Sequence, residues 1–384
     1  MIFVGKWLKK VFRVCFLCLF LLATFYGAYY LYQRYEHYKT YETLLAKRPT
    51  LKKAQDGTSI SAAWYKEKEF EKKLSKQYPW IYTLSFDTPA LTYVGRNIPI
   101  PGLVSTKAYN FSKKKIDVAT NMTPQGITFA DKYMLITAYD GLHKHNSVIW
   151  VLNKQTGKYI KTLQIKGKPH LGGVAYDPVA KNIWITSSLN GESALASFSL
   201  EELKSNKGKK PIKYNNQMNL PGISRASTVT YFDNQLFVGF FNMYEKGTVS
   251  GYTIARSGNF KGSITTDEIK ASTGSAAWST ATGSTSMDKQ IQGIAFYQDK
   301  IFLSQSYGSQ NSKLYIFPVS ALNSLDEKNA ERVIELPPYL EQITVENGQL
   351  ICIFESGSKN YARSQIMIMD RTLSLNINAL FSSY

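Results

Sequence analysis

Five times after Thr123 the chain repeats one pattern: a short apolar strand, a turn of Asp, Asn, Lys or Gly, and a second apolar strand. The copies read PQGITFADKYMLITAYD (124–140), LGGVAYDPVAKNIWITSS (171–188), ASTVTYFDNQLFVGFF (226–241), IQGIAFYQDKIFLSQSY (291–307) and LEQITVENGQLICIFES (340–356). Most continue into a third strand, as in SVIWVLN (147–153), SKLYIFPV (312–319) and SQIMIMD (364–370), and some into a fourth, such as KYIKTLQI (158–165) and ERVIELP (331–337). With Gly126, Gly173, Thr228, Gly293 and Gln342 taken as equivalent, the copies begin 47, 55, 65 and 49 residues apart, which is room for four strands each. A sandwich also has many short strands, but it would not repeat one Gly-Ile/Val-x-aromatic start. The pattern predicts an all-β fold, a β-propeller of five or six four-stranded blades, over residues 80–384. Gly126, Gly172, Gly173 and Gly293 fall where innermost strands approach one another closely. KKIDVAT (114–120), just before the first copy, is the expected closing strand, and residues 80–113 add a half-blade or a sixth blade.

The other strong pattern is at the N-terminus. Val14 to Tyr32 is a run of nineteen residues without a charge. As a helix it spans about 28 Å, close to the hydrocarbon thickness of a bilayer. Lys6, Lys9, Lys10 and Arg13 precede it, so the basic flank stays in the cytoplasm. Tyr26-Gly27-Ala28 puts a bulky residue where signal peptidase needs a small one, which favours an uncleaved anchor. The expected organisation is therefore a cytoplasmic basic tail (1–13), a transmembrane anchor (14–32), a juxtamembrane helical stem (33–79) and an extracytoplasmic propeller (80–384), in a single-pass protein of the cell membrane. Tyrosines recur every third residue from Tyr26 to Tyr41. Three residues advance a helix by about 300°, so these rings wind around the axis instead of forming one face. Tyr29, Tyr30 and Tyr32 fit the membrane interface, and Tyr35, Tyr38 and Tyr41 form a contact stripe beyond it.

Charge and cysteine content narrow the partners. Residues 1–76 hold +9 of the +18 net charge, so the basic excess is concentrated beside the membrane. Membrane lipid, an envelope protein or an anionic wall polymer are the expected partners, and nucleic acid is not, because the main domain lies outside the cell. Cys15 and Cys18 sit in the apolar run, where thiols stay protonated, and Cys352 is the remaining thiol, so the main domain is held together without disulfides.

The repeated strand starts give the chain a resemblance to the gluconolactonase-like, strictosidine-synthase-like and YVTN/NHL-type propellers, although no literal YVTN sequence is present. That resemblance implies a fold that hosts lactonases, condensing enzymes and pure binding modules. Residues just before each innermost strand gather at one mouth of the channel: Gln125, His170, Arg225, Gln292 and Glu341. The leading expectation is a binding or scaffolding module without a cofactor, whose ligand meets those five residues. The alternative is a metal-dependent, lactonase-like hydrolase, in which Glu341, Asp140, Asn242 and Glu355 hold a divalent cation such as calcium and His170 serves as base or ligand. Arg225 beside the mouth disfavours a cation. Gly222-Ile223-Ser224-Arg225-Ala226 is one residue short of a G-x-S-x-G nucleophile elbow and lacks its strand-to-helix setting. The small polar segment 270–289 interrupts the repeat and accounts for its longest interval.

Overall fold

A computed structural model describes residues 2–87, 97–220, 225–265 and 284–382. The chain divides into two compact units, residues 1–48 and 49–384. The first is one continuous helix, α1 (Ile2–Lys47). Its stretch from Lys10 to Lys47 is long and apolar enough to cross a membrane. A helix of this kind is also what a signal sequence forms.

The second unit is a five-bladed β-propeller. After a two-stranded hairpin, β1 (Thr106–Asn110) and β2 (Lys115–Ala119), come five sheets, each antiparallel throughout. Blade I is β3 (Met122–Ala130), β4 (Tyr133–Asp140), β5 (Val148–Asn153) and β6 (Tyr159–Gln164). Blade II is β7 (Val174–Asp177), β8 (Asn182–Leu189), β9 (Glu192–Ser199) and β10 (Asn216–Asn219). Blade III is β11 (Ala226–Phe232), β12 (Gln235–Phe240), β13 (Gly247–Thr253) and β14 (Ser284–Met287). Blade IV is β15 (Ile291–Tyr297), β16 (Lys300–Gln305), β17 (Ser312–Pro318) and β18 (Arg332–Leu336). Blade V has β19 (Leu340–Glu346), β20 (Gln349–Phe354) and β21 (Leu373–Asn376), so its third strand lies later in the chain than SQIMIMD.

The ring closes from the N-terminal side, but not through residues 114–120. Pro99 bridges Arg371, Ile100 N donates to Asp370 O (3.0 Å), and Thr372 N donates to Ile98 O (2.9 Å). Ile98-Pro99-Ile100 thus edges blade V. A proline fits an edge, where its missing N–H is not needed by a further strand, and its two neighbours bury their side chains. Residues 115–119 pair with β1 instead, leaving Ile116 and Val118 exposed.

Most of the expected stem belongs to the propeller unit, whose boundary is at Pro49. Trp64 N donates to Asp370 Oδ2 (2.7 Å), Trp64 Nε1 to Gly357 O (2.7 Å), and Arg371 Nη2 to Tyr65 O (2.8 Å). Helix α2 (Glu67–Gln77) buries Phe70 and Leu74, four residues apart on one face, and the Arg371 guanidinium lies 4.3 Å from the Phe70 ring centre.

Between blades the core is aliphatic with large aromatic wedges. Trp150, Trp184, Tyr252 and Tyr315 are fully buried, and each such side chain contributes about 2 kcal/mol of hydrophobic stabilisation. Innermost strands approach so closely that a Cβ on Gly173 would lie 2.2 Å from Val229 N.

Candidate functional site

The register of the innermost strands slips at their first residues: between Pro124 and Ile127 in β3, Ile291 and Gly293 in β15, and Leu340 and Ile343 in β19. Such bulges twist a strand locally and re-aim its side chains. Here they hold Gln125, Gln292 and Glu341 at one end of the channel. These three, with His170 and Arg225, line one cavity of about 390 Å³. Glu355 and Arg363 from blade V and the rings of Phe241, Tyr307, Tyr339 and Tyr361 complete much of its wall.

Below the cavity, Gln342 crosses the channel. Its Oε1 accepts from Ile127 N and Val174 N, each at 3.0 Å, and its Nε2 donates to Val174 O and Val229 O, each at 2.9 Å. Both donors and both acceptor sites of the amide are used, on blades I, II and III. One buried side chain from blade V therefore ties three other blades together on the axis.

Two carboxyl groups dominate the electrostatics of the cavity. Glu341 and Glu355 are buried and repel each other's charge. Burial, then Glu355, drives Glu341 well above the usual carboxylate range, against the pull of Arg225. Burial lifts Glu355 to about 8, although the amide of Gln125, donating to its Oε2 at 2.8 Å, and Arg225 both favour its charged form. Near neutral pH the pair therefore retains at least one proton, and it offers a donor as well as acceptors.

His170 is pushed down to about 3, first by burial and then by Arg225 and His143. It is a neutral imidazole, far from the near-neutral pKa that a base would need, with its edge toward Tyr139 at 4.4 Å between ring centres. Its Nδ1 is buried and has no hydrogen-bond partner. Burial also raises the phenols of Tyr139, to about 12, and Tyr361; their oxygens are 3.3 Å apart. Arg225 is exposed, with its guanidinium 5.1 Å from the Phe241 ring centre.

The four residues expected to hold a metal do not come together. Asp140 Oδ1 accepts from Leu142 N (3.1 Å), and its Oδ2 accepts from Lys144 N (2.9 Å) and His145 N (3.1 Å) and contacts His145 Nδ1 (2.7 Å). Asn242 Oδ1 accepts from Tyr244 N and Glu245 N, each at 3.1 Å. Both side chains fix their own loops and neither lines the cavity, which leaves Glu341 and Glu355. Among the described residues no group of three or more His, Cys, Asp or Glu is arranged to hold a metal ion. Residues 222–224 of the elbow-like motif and most of segment 270–289 lie outside the described residues.

Tyr361 and Arg363 were not anticipated. They follow the turn that begins at Glu355, a stretch whose Ser and Gly content reads only as a loop. Also unanticipated is a chain of polar contacts in which His145 Nε2 lies 2.7 Å from Asp117 Oδ1 while its Nδ1 faces Asp140.

No protein-family model matches this chain, and no curated protein matches it in sequence. Solved structures with a similar fold include a PQQ-bound aldose sugar dehydrogenase from Streptomyces coelicolor, at 12% identity and a TM-score of 0.42, covering 66% of this chain and 94% of that one. A nidogen/laminin complex gives 11% identity and a TM-score of 0.36 over 70% of this chain and 94% of that one. Hydrazine synthase from Kuenenia stuttgartiensis gives 11% identity and a TM-score of 0.36 over 62% of this chain, which spans little more than half (56%) of that one.

Proposed function

We propose that this protein is a membrane-anchored binding module of the cell envelope, held by α1, whose propeller takes a small, hydroxyl-rich ligand at the channel mouth. The basic residues ahead of the apolar run support an outward-facing propeller. The observation that carries the ligand reading is the buried Glu341–Glu355 pair beside Gln125 in the cavity. Carboxyl groups that keep their protons near neutral pH give and accept hydrogen bonds without requiring a charged partner, which suits a polyol. Phe241, Tyr307, Tyr339 and Tyr361 add the flat apolar surfaces against which the C–H faces of a sugar pack.

The test is calorimetric titration of the full chain in neutral detergent with a panel of monosaccharides and sugar acids. Binding by a panel member that weakens at least about tenfold in Glu341→Gln and in Gln125→Ala is the expected result, since each removes a hydrogen bond that a buried ligand would need. Unchanged affinity in both variants would remove the cavity from the reading. An enzymatic reading keeps one specific support: a carboxyl held to about 8 titrates close enough to neutrality for general acid or base work.

A further inference from the structure

A second concave surface lies on the side of the propeller, away from the residues of the channel mouth. It is an open groove of about 610 Å³ between β6, strand β1, the loop around Asp56 and the loop that follows helix α3 (Leu200–Ser205). Lys107, Lys161, Lys207 and Lys209 line it, against one carboxylate, Asp56. That carboxylate is already occupied, accepting from Tyr159 Oη (2.6 Å) and Thr58 N (2.9 Å). The groove has a formal charge of +3, and Lys107, Lys207 and Lys209 form no ion pair among the described residues.

The fold holds Lys161 and the backbone that carries Lys207 and Lys209. Lys161 Nζ donates to Leu203 O (2.6 Å), Lys204 O (3.1 Å) and Asn206 O (2.6 Å), fastening the end of α3 and the following loop to blade I. Asn206 Oδ1 accepts from Gly208 N at 2.8 Å. Gly208 has φ +75°, and a Cβ there would lie 2.1 Å from Thr162 O. The backbone between Lys207 and Lys209 therefore presses directly on β6, a position only glycine fills without strain. Like charges that line one groove without ion pairs raise the local positive potential, and an anion that joins several of them relieves their repulsion.

We propose that this groove binds a linear polyanion, a chain of phosphates linked as esters or anhydrides. Lysines from two different segments, β1 and the loop after α3, lining an open groove match repeated charges on one chain better than they enclose a single ion. This site is independent of the ligand at the channel mouth.

The experiment measures fluorescence anisotropy of labelled linear polyphosphate and, separately, of labelled poly(glycerol phosphate), titrated with the full chain in neutral detergent at 0.15 M salt. Three proteins are compared: the unchanged chain, the triple variant Lys107→Ala, Lys207→Ala, Lys209→Ala, and a control, Lys132→Ala, Lys261→Ala, Lys328→Ala, which removes the same charge elsewhere. Circular dichroism and thermal melting establish that both variants fold. The groove variant should lose about tenfold or more in affinity and flatten the plot of log K against log salt by about two, the share of three phosphate contacts, and the control should do neither. The polymer for which the difference appears identifies the linkage recognised. Equal loss in both variants would assign the binding to the overall positive charge, and no loss in either would assign it to another basic region; either result would overturn the proposal. Competition by orthophosphate as effective as by either polymer would also overturn it.

Discussion

Two sets of buried polar side chains in the propeller are treated in opposite ways. In blade I, Asp140 is surrounded by three backbone N–H groups and His145, and on the axis Gln342 has every donor and acceptor matched. At the channel mouth Glu341 and Glu355 face each other's charge, and His170 Nδ1 is buried with nothing to bond. A buried polar group stabilises a fold only when it is satisfied, and it costs stability when it is not. A buried carboxyl pair and an unpartnered imidazole nitrogen around one cavity are therefore a poor way to build a structural core and a sensible way to receive a ligand. The saturated groups, though equally buried, hold the scaffold in which the cavity sits.

If that division is right, substitutions in the two sets should differ in size. Gln342→Ala should have the largest effect, because it strands four buried backbone groups on three blades. At about 1 kcal/mol for each, the loss is about 4 kcal/mol, read from the midpoint of urea unfolding of the full chain. A loss below about 1 kcal/mol would mean that the axis is held by the strands alone. Asp140→Ala should come next, at about 3 kcal/mol, by leaving the N–H groups of Leu142, Lys144 and His145 without their acceptor. Glu341→Gln should cost much less than either in the same measurement, and a cost as large as that of Asp140→Ala would erase the contrast.

The same distinction explains what the sequence made legible. The repeated strand starts located the innermost strands, and from them the five residues that meet at Gln125, His170, Arg225, Gln292 and Glu341 followed from topology, since every innermost strand begins at the same end of the ring. The partners of those residues did not follow. Glu355 stood among metal candidates because it is a carboxylate near a strand end, and Asp140 stood there for the same reason. Only the contacts separate one facing another carboxylate from one wrapped in N–H groups. Closure at Ile98-Pro99-Ile100 was hidden because an edge strand with proline in it has little strand signature, while residues 114–120 alternate well and pair locally. The stem read as a juxtamembrane helical segment apart from the propeller, but Trp64, Phe70 and Leu74 are buried within the propeller unit.

A dependence on pH is also expected, and its sign differs between the two regions. Glu355 has its folded pKa raised from 4.5 to about 8, so the folded chain holds a proton that the unfolded chain has released. The stability this contributes is complete below about 4.5 and is lost as pH rises through about 8. Asp117, beside His145, is lowered from 3.8 to about 2, first by the ammonium of Lys113 and then by His145, so its contribution is present above 3.8 and lost as pH falls toward 2. Melting temperatures of the full chain should therefore decline steadily as pH is raised from about 5 to about 8. Glu355→Gln should lessen that decline and leave the share of Glu341, whereas Asp117→Asn should leave the decline unchanged, lower stability at pH above about 3.8 and make no difference as pH falls toward 2. A decline that survives unchanged in the double variant Glu341→Gln, Glu355→Gln would place the titrating group elsewhere and remove the buried carboxyl pair as the feature that sets the mouth apart.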